Sequence, residues 1–300
     1  MTSRAAEVVA QGKLNLFLRV LAREQSGFHQ IETLFTRIDL GDLVRVRVTA
    51  GARSIDCDGP MVPSGGLGAP EDNLAWRAAD LYTAVAEWPA GFAIEIEKRI
   101  PVGGGLGGGS ADAGAVLRVL DTLNPDPIGP VALLQIAARI GSDVPFLTVR
   151  DPLALAWGRG ERLLALPSLP PREVVLVFPP YPVATGDAYG WLAASRSGEP
   201  AASGSALRHL PELESWAGVD HTMRNDFQLV VSQHHPDVSD VARALVIDYG
   251  ATRALLGGSG STVFGLFDAP ADASAIARGT GYATLLTRTS DKVVEVARTE

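Results

Sequence analysis

Six of the seven residues from Gly103 to Gly109 are glycine, in the run Pro101-Val102-Gly103-Gly104-Gly105-Leu106-Gly107-Gly108-Gly109-Ser110-Ala111-Asp112. Upstream, 92–100 alternates like a strand, with Phe92, Ile94 and Ile96 on one face and Glu95 and Glu97 on the other. Downstream, Ala111 to Leu123 carries apolar residues at helical spacing until Asn124-Pro125 stops it. Backbone without Cβ atoms can wrap an anion closely. A helix start aims unpaired N–H groups and a positive dipole end at the same place. Ser110 adds a hydroxyl there, as N-cap, phosphate ligand or neighbour of a metal ion. A mere spacer has no use for Pro101 and Leu106, or for a place between two regular elements. The segment reads as a phosphate loop.

Other glycine loops fit less well. A Walker A loop needs Lys-Ser or Lys-Thr after its last glycine, and Ser110-Ala111 stands there instead. Gly103, Gly105 and Gly108 satisfy GxGxxG, yet the acidic residue about 20 positions on, Asp126, lies in a Pro-rich turn and does not end a strand. Protein-kinase HRD and DFG segments are absent from the sequence.

Formal net charge is −8, which argues against a nucleic-acid backbone or an anionic membrane as main partner, since both need clustered cations. With 46% hydrophobic residues the 300-residue chain can bury two cores. Cys57 is the lone cysteine, the first residues lack the apolar run of a signal peptide, and no apolar run approaches ~18 residues. The expected setting is cytoplasmic. Lysines are few, at 13, 98 and 292 among 26 basic residues. Each is worth weighing, because an ammonium has a tunable pKa that guanidinium lacks.

Strands are expected at 8–20, half-buried, and at 42–49. A turn at Ser26-Gly27 separates them, and a Gly/Pro loop spans 58–70. Helices are expected at 73–85, capped by Asp72 or Asn73, and at 131–140. The stretch 166–172 reads as a linker, giving domains 1–168 and 169–300. In the second domain, strands are expected at 173–178, 252–256, 262–267, 283–287 and 292–297. Helices fall near 225–234, 238–249 and 271–278, with loops at 195–206 and 257–262. Strands and helices mix without regular βαβ alternation, so the fold class is α+β.

Taken alone, Asp143 is a turn or capping aspartate, Lys13 a strand-edge lysine and Phe28-His29 a half-buried turn pair. His209, His221, His234 and His235 show no ligand spacing and HExxH is absent, which leaves no visible zinc site. Three segments together nonetheless resemble the GHMP family of small-molecule kinases: KLNL at 13–16, PVGGGLGGGSADA at 101–113 and GGSGSTVFG at 257–265. Gly27-Phe28-His29, Gly141-Ser142-Asp143-Val144-Pro145-Phe146 and Asn225-Asp226-Phe227 narrow the likeness to a branch that phosphorylates a cytidine diphosphate alcohol on the non-mevalonate route to isoprenoid precursors.

The resemblance implies an N-terminal domain like the second domain of ribosomal protein S five, then a ferredoxin-like domain, with the site between them. It implies ATP on Pro101 to Ala111, with Mg²⁺ carried by the nucleotide. Asp143 becomes the catalytic base, and Lys13 the cation beside it. Asn15, Phe28, His29, Thr185, Gly258, Ser259 and Gly260 become acceptor contacts. The chain departs from the family pattern twice: Phe28 stands where tyrosine is usual, which loses the phenol hydrogen bond but keeps a stacking face, and Gln11-Gly12 replaces Pro-Ala. Homoserine or a mevalonate derivative as acceptor, or a silent nucleotide-binding regulator, are the competing readings.

Overall fold

The computed structural model describes residues 4–25, 27–196 and 206–299, and at 206–209 the backbone alone. Ser26 and most of the 195–206 loop lie outside the described residues. The chain opens with two long antiparallel strands, β1 (Ala5–Arg23) and β2 (His29–Thr49). After β3 (Arg53–Asp58) comes α1 (Leu74–Ala86), whose Asn73 cap accepts from the Ala75 N–H. Next follow β4 (Gly91–Glu97), α2 (Gly108–Leu123), α3 (Gly129–Ile140), α4 (Val144–Thr148), β5 (Leu153–Gly158) and β6 (Arg162–Ala165). The strands β2, β4 and β3 lie side by side, and β5 and β6 extend the sheet beyond the first half of β2.

The second half begins with β7 (Glu173–Phe178) and α5 (Thr185–Ser195). After α6 (Trp216–Thr222), a two-residue β8 (Arg224–Asn225) pairs in parallel with β1. Then come α7 (Asp226–His234), α8 (Asp237–Ile247), β9 (Arg253–Leu256), β10 (Val263–Phe267), α9 (Ala273–Thr280) and β11 (Ala283–Arg288). The sheet order β11-β7-β10-β9, antiparallel throughout, is the ferredoxin-like arrangement. A last short strand, β12 (Ala297–Thr299), returns to the first sheet and pairs with the start of β1.

Alternation along β7 explains how the halves join. Val175 and Val177 face α5, α7 and α8, whereas Val174 and Leu176 pack against Leu14, Leu16 and Leu34 of the first sheet. The two sheets therefore share a dry layer, with helices on the outer faces. This corrects the expectation of a half-buried first strand. Burial alternates over the first residues of β1, but from Ala10 to Leu18 both faces are buried: Val8 and Ala10 pack toward the α1–α2 core, while Leu14 and Leu16 meet the second sheet. Among the described residues no helix is long and apolar enough to cross a membrane.

Candidate active site

The glycine loop leaves β4 through a buried anchor. Asp42, fully buried on β2, accepts from the backbone N–H groups of Arg99 (2.5 Å) and Ile100 (2.8 Å) and takes an ion pair from Lys98. Lys98 also reaches Asp112 at 2.6 Å, one turn inside α2, so strand exit and helix entry are tied together beneath the loop. Burial alone would lower the Lys98 pKa, but the two carboxylates outweigh it and the ammonium is held charged. Burial and the second carboxylate push Asp112 up to about 7, even against the pull of Lys98, and its Oδ1 has no partner.

Gly103, Gly105 and Gly107 all have φ between +73° and +77°, the left-handed region that side chains avoid. Alternating with ordinary residues, they turn successive N–H groups into one concavity. At Gly105 space is also decisive: a Cβ there would stand 2.1 Å from the Gly257 carbonyl oxygen of the facing loop. The helix starts earlier than expected, at Gly108 with Gly107 as its cap. Ser110 is thus not the N-cap but the third helical residue, among the free N–H groups of the first turn.

Lys13 and Asn15 share the face of β1 that looks at this loop. The Lys13 backbone N–H donates to Leu106 O at 2.9 Å, and its Nζ donates to Gly105 O at 3.0 Å and Asn15 Oδ1 at 2.7 Å. Asn15 Nδ2 donates to Thr33 Oγ1 at 2.8 Å, and Thr33 donates on to Phe17 O, which fixes the amide with its oxygen toward the ammonium. Asp143 stands 3.4 Å from Lys13 Nζ. Its side chain caps nothing and is 30% exposed to the cleft, where a turn aspartate would bond its own backbone. Close packing holds it there: at Gly114 of α2 a Cβ would lie 2.5 Å from Leu147 O, so α4 rests directly on α2.

These groups line one cleft of about 830 Å³ between the two sheets. Pro101 to Ser110 form one wall; Lys13, Asn15, Phe28, His29, Asp143, Thr185, Gly258 and Ser259 line the remainder. Two expected members do not reach it. Ala111 turns its methyl into the core, and Gly260 shapes the turn behind Gly258 by donating to Gly257 O at 2.9 Å. Asn225 fastens that turn by donating to Leu256 O (2.8 Å) and Gly258 O (2.7 Å). Thr185 opens α5 and lies 3.0 Å from Ser259 Oγ.

The far end of the cleft holds an aromatic ring the sequence did not single out. Tyr189 of α5 stacks on His29 with centroids 4.3 Å apart and meets Phe227 edge-on at 4.8 Å. Burial and the nearby Asp143 carboxylate push the Tyr189 phenol up to about 12, so it stays neutral and can donate. Burial first, then Arg23 and Arg196, lower the His29 pKa and favour a neutral imidazole that can both donate and accept. Arg159 covers one face of the Phe28 ring at 4.2 Å and is held by Glu24. No spacing rule links Tyr189 or Arg159 to the hairpin they join, so only the fold could reveal them. Lys98 and Asp112 did carry a signal, as a rare lysine and an aspartate inside the loop motif.

A mixed fold of two sheets, a left-handed glycine loop running into a helix, and a lysine–aspartate pair opposite it define a small-molecule kinase of the GHMP type. Residues 73–150 match the GHMP kinases N terminal domain and residues 204–280 the GHMP kinases C terminal, and the chain belongs to this family. It is 36% identical over 285 residues to the 4-diphosphocytidyl-2-C-methyl-D-erythritol kinase of Pelotomaculum thermopropionicum, covering 94% of this chain and 96% of that one. It is 42% identical over 263 residues to the enzyme of the same name from Anaeromyxobacter sp. strain K, covering 86% and 80%. A crystal structure of 4-(cytidine 5'-diphospho)-2C-methyl-D-erythritol kinase superposes with a TM-score of 0.71 at 33% identity, covering 95% of this chain and 99% of that one. A homoserine kinase from Cytophaga hutchinsonii, at 18% identity and a TM-score of 0.70, shares the fold.

Proposed function

We propose that this chain transfers the γ-phosphoryl group of ATP to the 2-hydroxyl of 4-diphosphocytidyl-2-C-methyl-D-erythritol, a step in making isoprenoid precursors. The observation that carries the reading is the Lys13–Asn15–Asp143 group facing the glycine loop across one cleft, with His29, Phe28 and Tyr189 at the other end. The relatives that bear this enzyme's name support the choice of acceptor.

In this reading the loop N–H groups and the first turn of α2 bind the phosphates. Asp143 accepts the proton of the acceptor hydroxyl as its oxygen attacks the γ-phosphorus, and ADP departs in line. The Lys13 ammonium, 3.4 Å from Asp143, offsets charge on the attacking oxygen. The fixed Asn15 amide, Thr185 and the 258–259 turn orient the acceptor. The stacked ring system receives the cytosine, read by the neutral His29. The donor set of Ser110 and Asp143, hard oxygens beside a phosphate loop, fits a Mg²⁺ held chiefly by ATP and water. Bound there, Mg²⁺ would supply charge neutralisation for the transferring phosphates. We place the domain division at 168/169, within the coil between β6 and β7, and the compartment in the cytoplasm, which suits a lone free thiol.

The test measures ADP release with the cytidine diphosphate alcohol, with the same alcohol phosphate lacking cytidine, and with homoserine and mevalonate. Release only with the cytidine compound is expected. Preference for homoserine or mevalonate would move the chain elsewhere in the family, and ATP binding with no transfer at all would make it a regulator.

A further inference from the structure

Gln11, two residues before Lys13, is 2% exposed and makes all of its side-chain hydrogen bonds to the far end of the chain. Its Nε2 donates to Ser290 Oγ at 3.1 Å and Lys292 O at 3.3 Å, and its Oε1 accepts from the Val294 N–H at 2.9 Å. A strand was expected at 292–297, and only Ala297–Thr299 pairs with β1. A side chain has taken the place of a ladder. The segment is fastened elsewhere too: the Ser290 N–H donates to Arg37 O at 2.8 Å, Arg118 of α2 donates to Val294 O, and Arg298 donates to Thr122 O at 2.6 Å. It lies as a strap across β1, β2 and α2.

The strap crosses where the first two strands lose register. Gln11 pairs with Gly41 and Lys13 with Arg37, so two steps along β1 match four along β2. Lys13 and Arg37 consequently turn their backbone groups outward. The Lys13 N–H goes to Leu106 O at 2.9 Å, the Arg37 N–H to Pro152 O at 2.9 Å, and the Arg37 carbonyl to the strap. The Arg37 guanidinium, itself buried, donates to Phe146 O (2.9 Å) and Val149 O (2.8 Å) at the end of the helix that starts beside Asp143. An irregular stretch of ladder has few bonds of its own to define it. Here the strap supplies them, on one side through Gln11 and on the other through Arg37.

We propose that Gln11 is a positioning residue for phosphoryl transfer: by fixing the strap Ser290–Val294 over the irregularity, it sets where Lys13 stands relative to Gly105 and Asp143. This rests on Lys13 and Asp143 being the transfer pair. The glutamine is not passive filling where the family pattern has proline. It replaces a rigid residue by a three-bond clamp.

The test compares wild type with Gln11→Ala and with the milder Ser290→Ala, which loses one of the three bonds. Steady-state kinetics should show kcat down about 10- to 100-fold in Gln11→Ala, as misplacement of a catalytic group produces. KM for ATP and acceptor should stay within about twofold, because no residue lining the cleft is substituted. Ser290→Ala should show the same kcat-only loss, smaller. Amide exchange, read without any substrate, should quicken at Lys13 in Gln11→Ala while Val175 and Leu176 of the second sheet stay protected. Two results overturn the proposal: wild-type kcat in both variants, or exchange that quickens equally in both sheets. If wild-type protein itself releases no ADP, the functional reading fails, while the exchange measurement still judges the strap.

Discussion

The two walls of the cleft are built by different means. The glycine-loop wall, proposed to hold the phosphates, is continuous chain, Pro101 to Ser110, and what it offers is backbone N–H donors exposed by left-handed glycines. The opposite wall, proposed to hold the acceptor, is a collection of groups from β1, Phe28, the start of β2, Asp143, α5 and Gly258-Ser259, drawn from both halves of the chain. Backbone recognition needs the residues in sequence and almost no side chains. Side-chain recognition needs the whole topology and tolerates change at single positions, as Phe28 illustrates. Damage to the first wall should be all-or-none, and damage to the second graded and selective.

Gly105→Ala is the largest expected effect. The new methyl would collide with Gly257 O and sit at φ +76°, so the loop must leave its partner turn. ATP affinity measured by calorimetry should fall by more than about tenfold, and turnover should vanish. Wild-type ATP binding in a folded Gly105→Ala protein would show that the loop is not the phosphate site. Tyr189→Ala tests the other wall. Loss of one stacking face should raise KM for the cytidine acceptor by about 5- to 100-fold with KM for ATP unmoved. Equal changes in both constants would mean that the walls are not separable.

The smallest effect concerns the buried ions beneath the loop. Asp112 titrates near the ordinary value of about 4 when unfolded and is pushed up to about 7 in the folded chain. Between those values the folded state holds the additional proton, so stability falls as pH rises through that window. Asp112→Asn removes the titration. Its melting temperature should gain on wild type as pH rises from about 4 to about 7, and run parallel to it above that, measured by thermal denaturation. Parallel curves throughout would place the charge balance of Lys98 and its two carboxylates elsewhere.

The same contrast explains what could be read from sequence. The capped helix at Asn73 and the ferredoxin-like strands around Val174–Val177 and Val263–Phe267 follow local periodicity and appear where expected. The first half of β2, with β5 and β6 beside it, was invisible because its residues are buried on both faces and lack the alternation of a half-exposed strand. Ala111 and Ser110 were misplaced by one turn because glycines, poor helix formers, nonetheless begin α2. The segment 292–297 has strand-like residues, yet Gln11 and Arg118 claim its backbone before a ladder can form. Asp143 and Lys13 carry no signal alone. Only the register shift in β1 and the contact of α4 with α2 bring them within 3.4 Å.

The central claim is that one carboxylate, poised by Lys13, removes the acceptor proton opposite the loop. The most direct measurement pairs ATP affinity with single-turnover phosphate transfer in Asp143→Asn, which keeps the shape and deletes the base. ATP should bind within about threefold of wild type while transfer slows by about 10²- to 10⁴-fold. Transfer at the wild-type rate in that variant would contradict it.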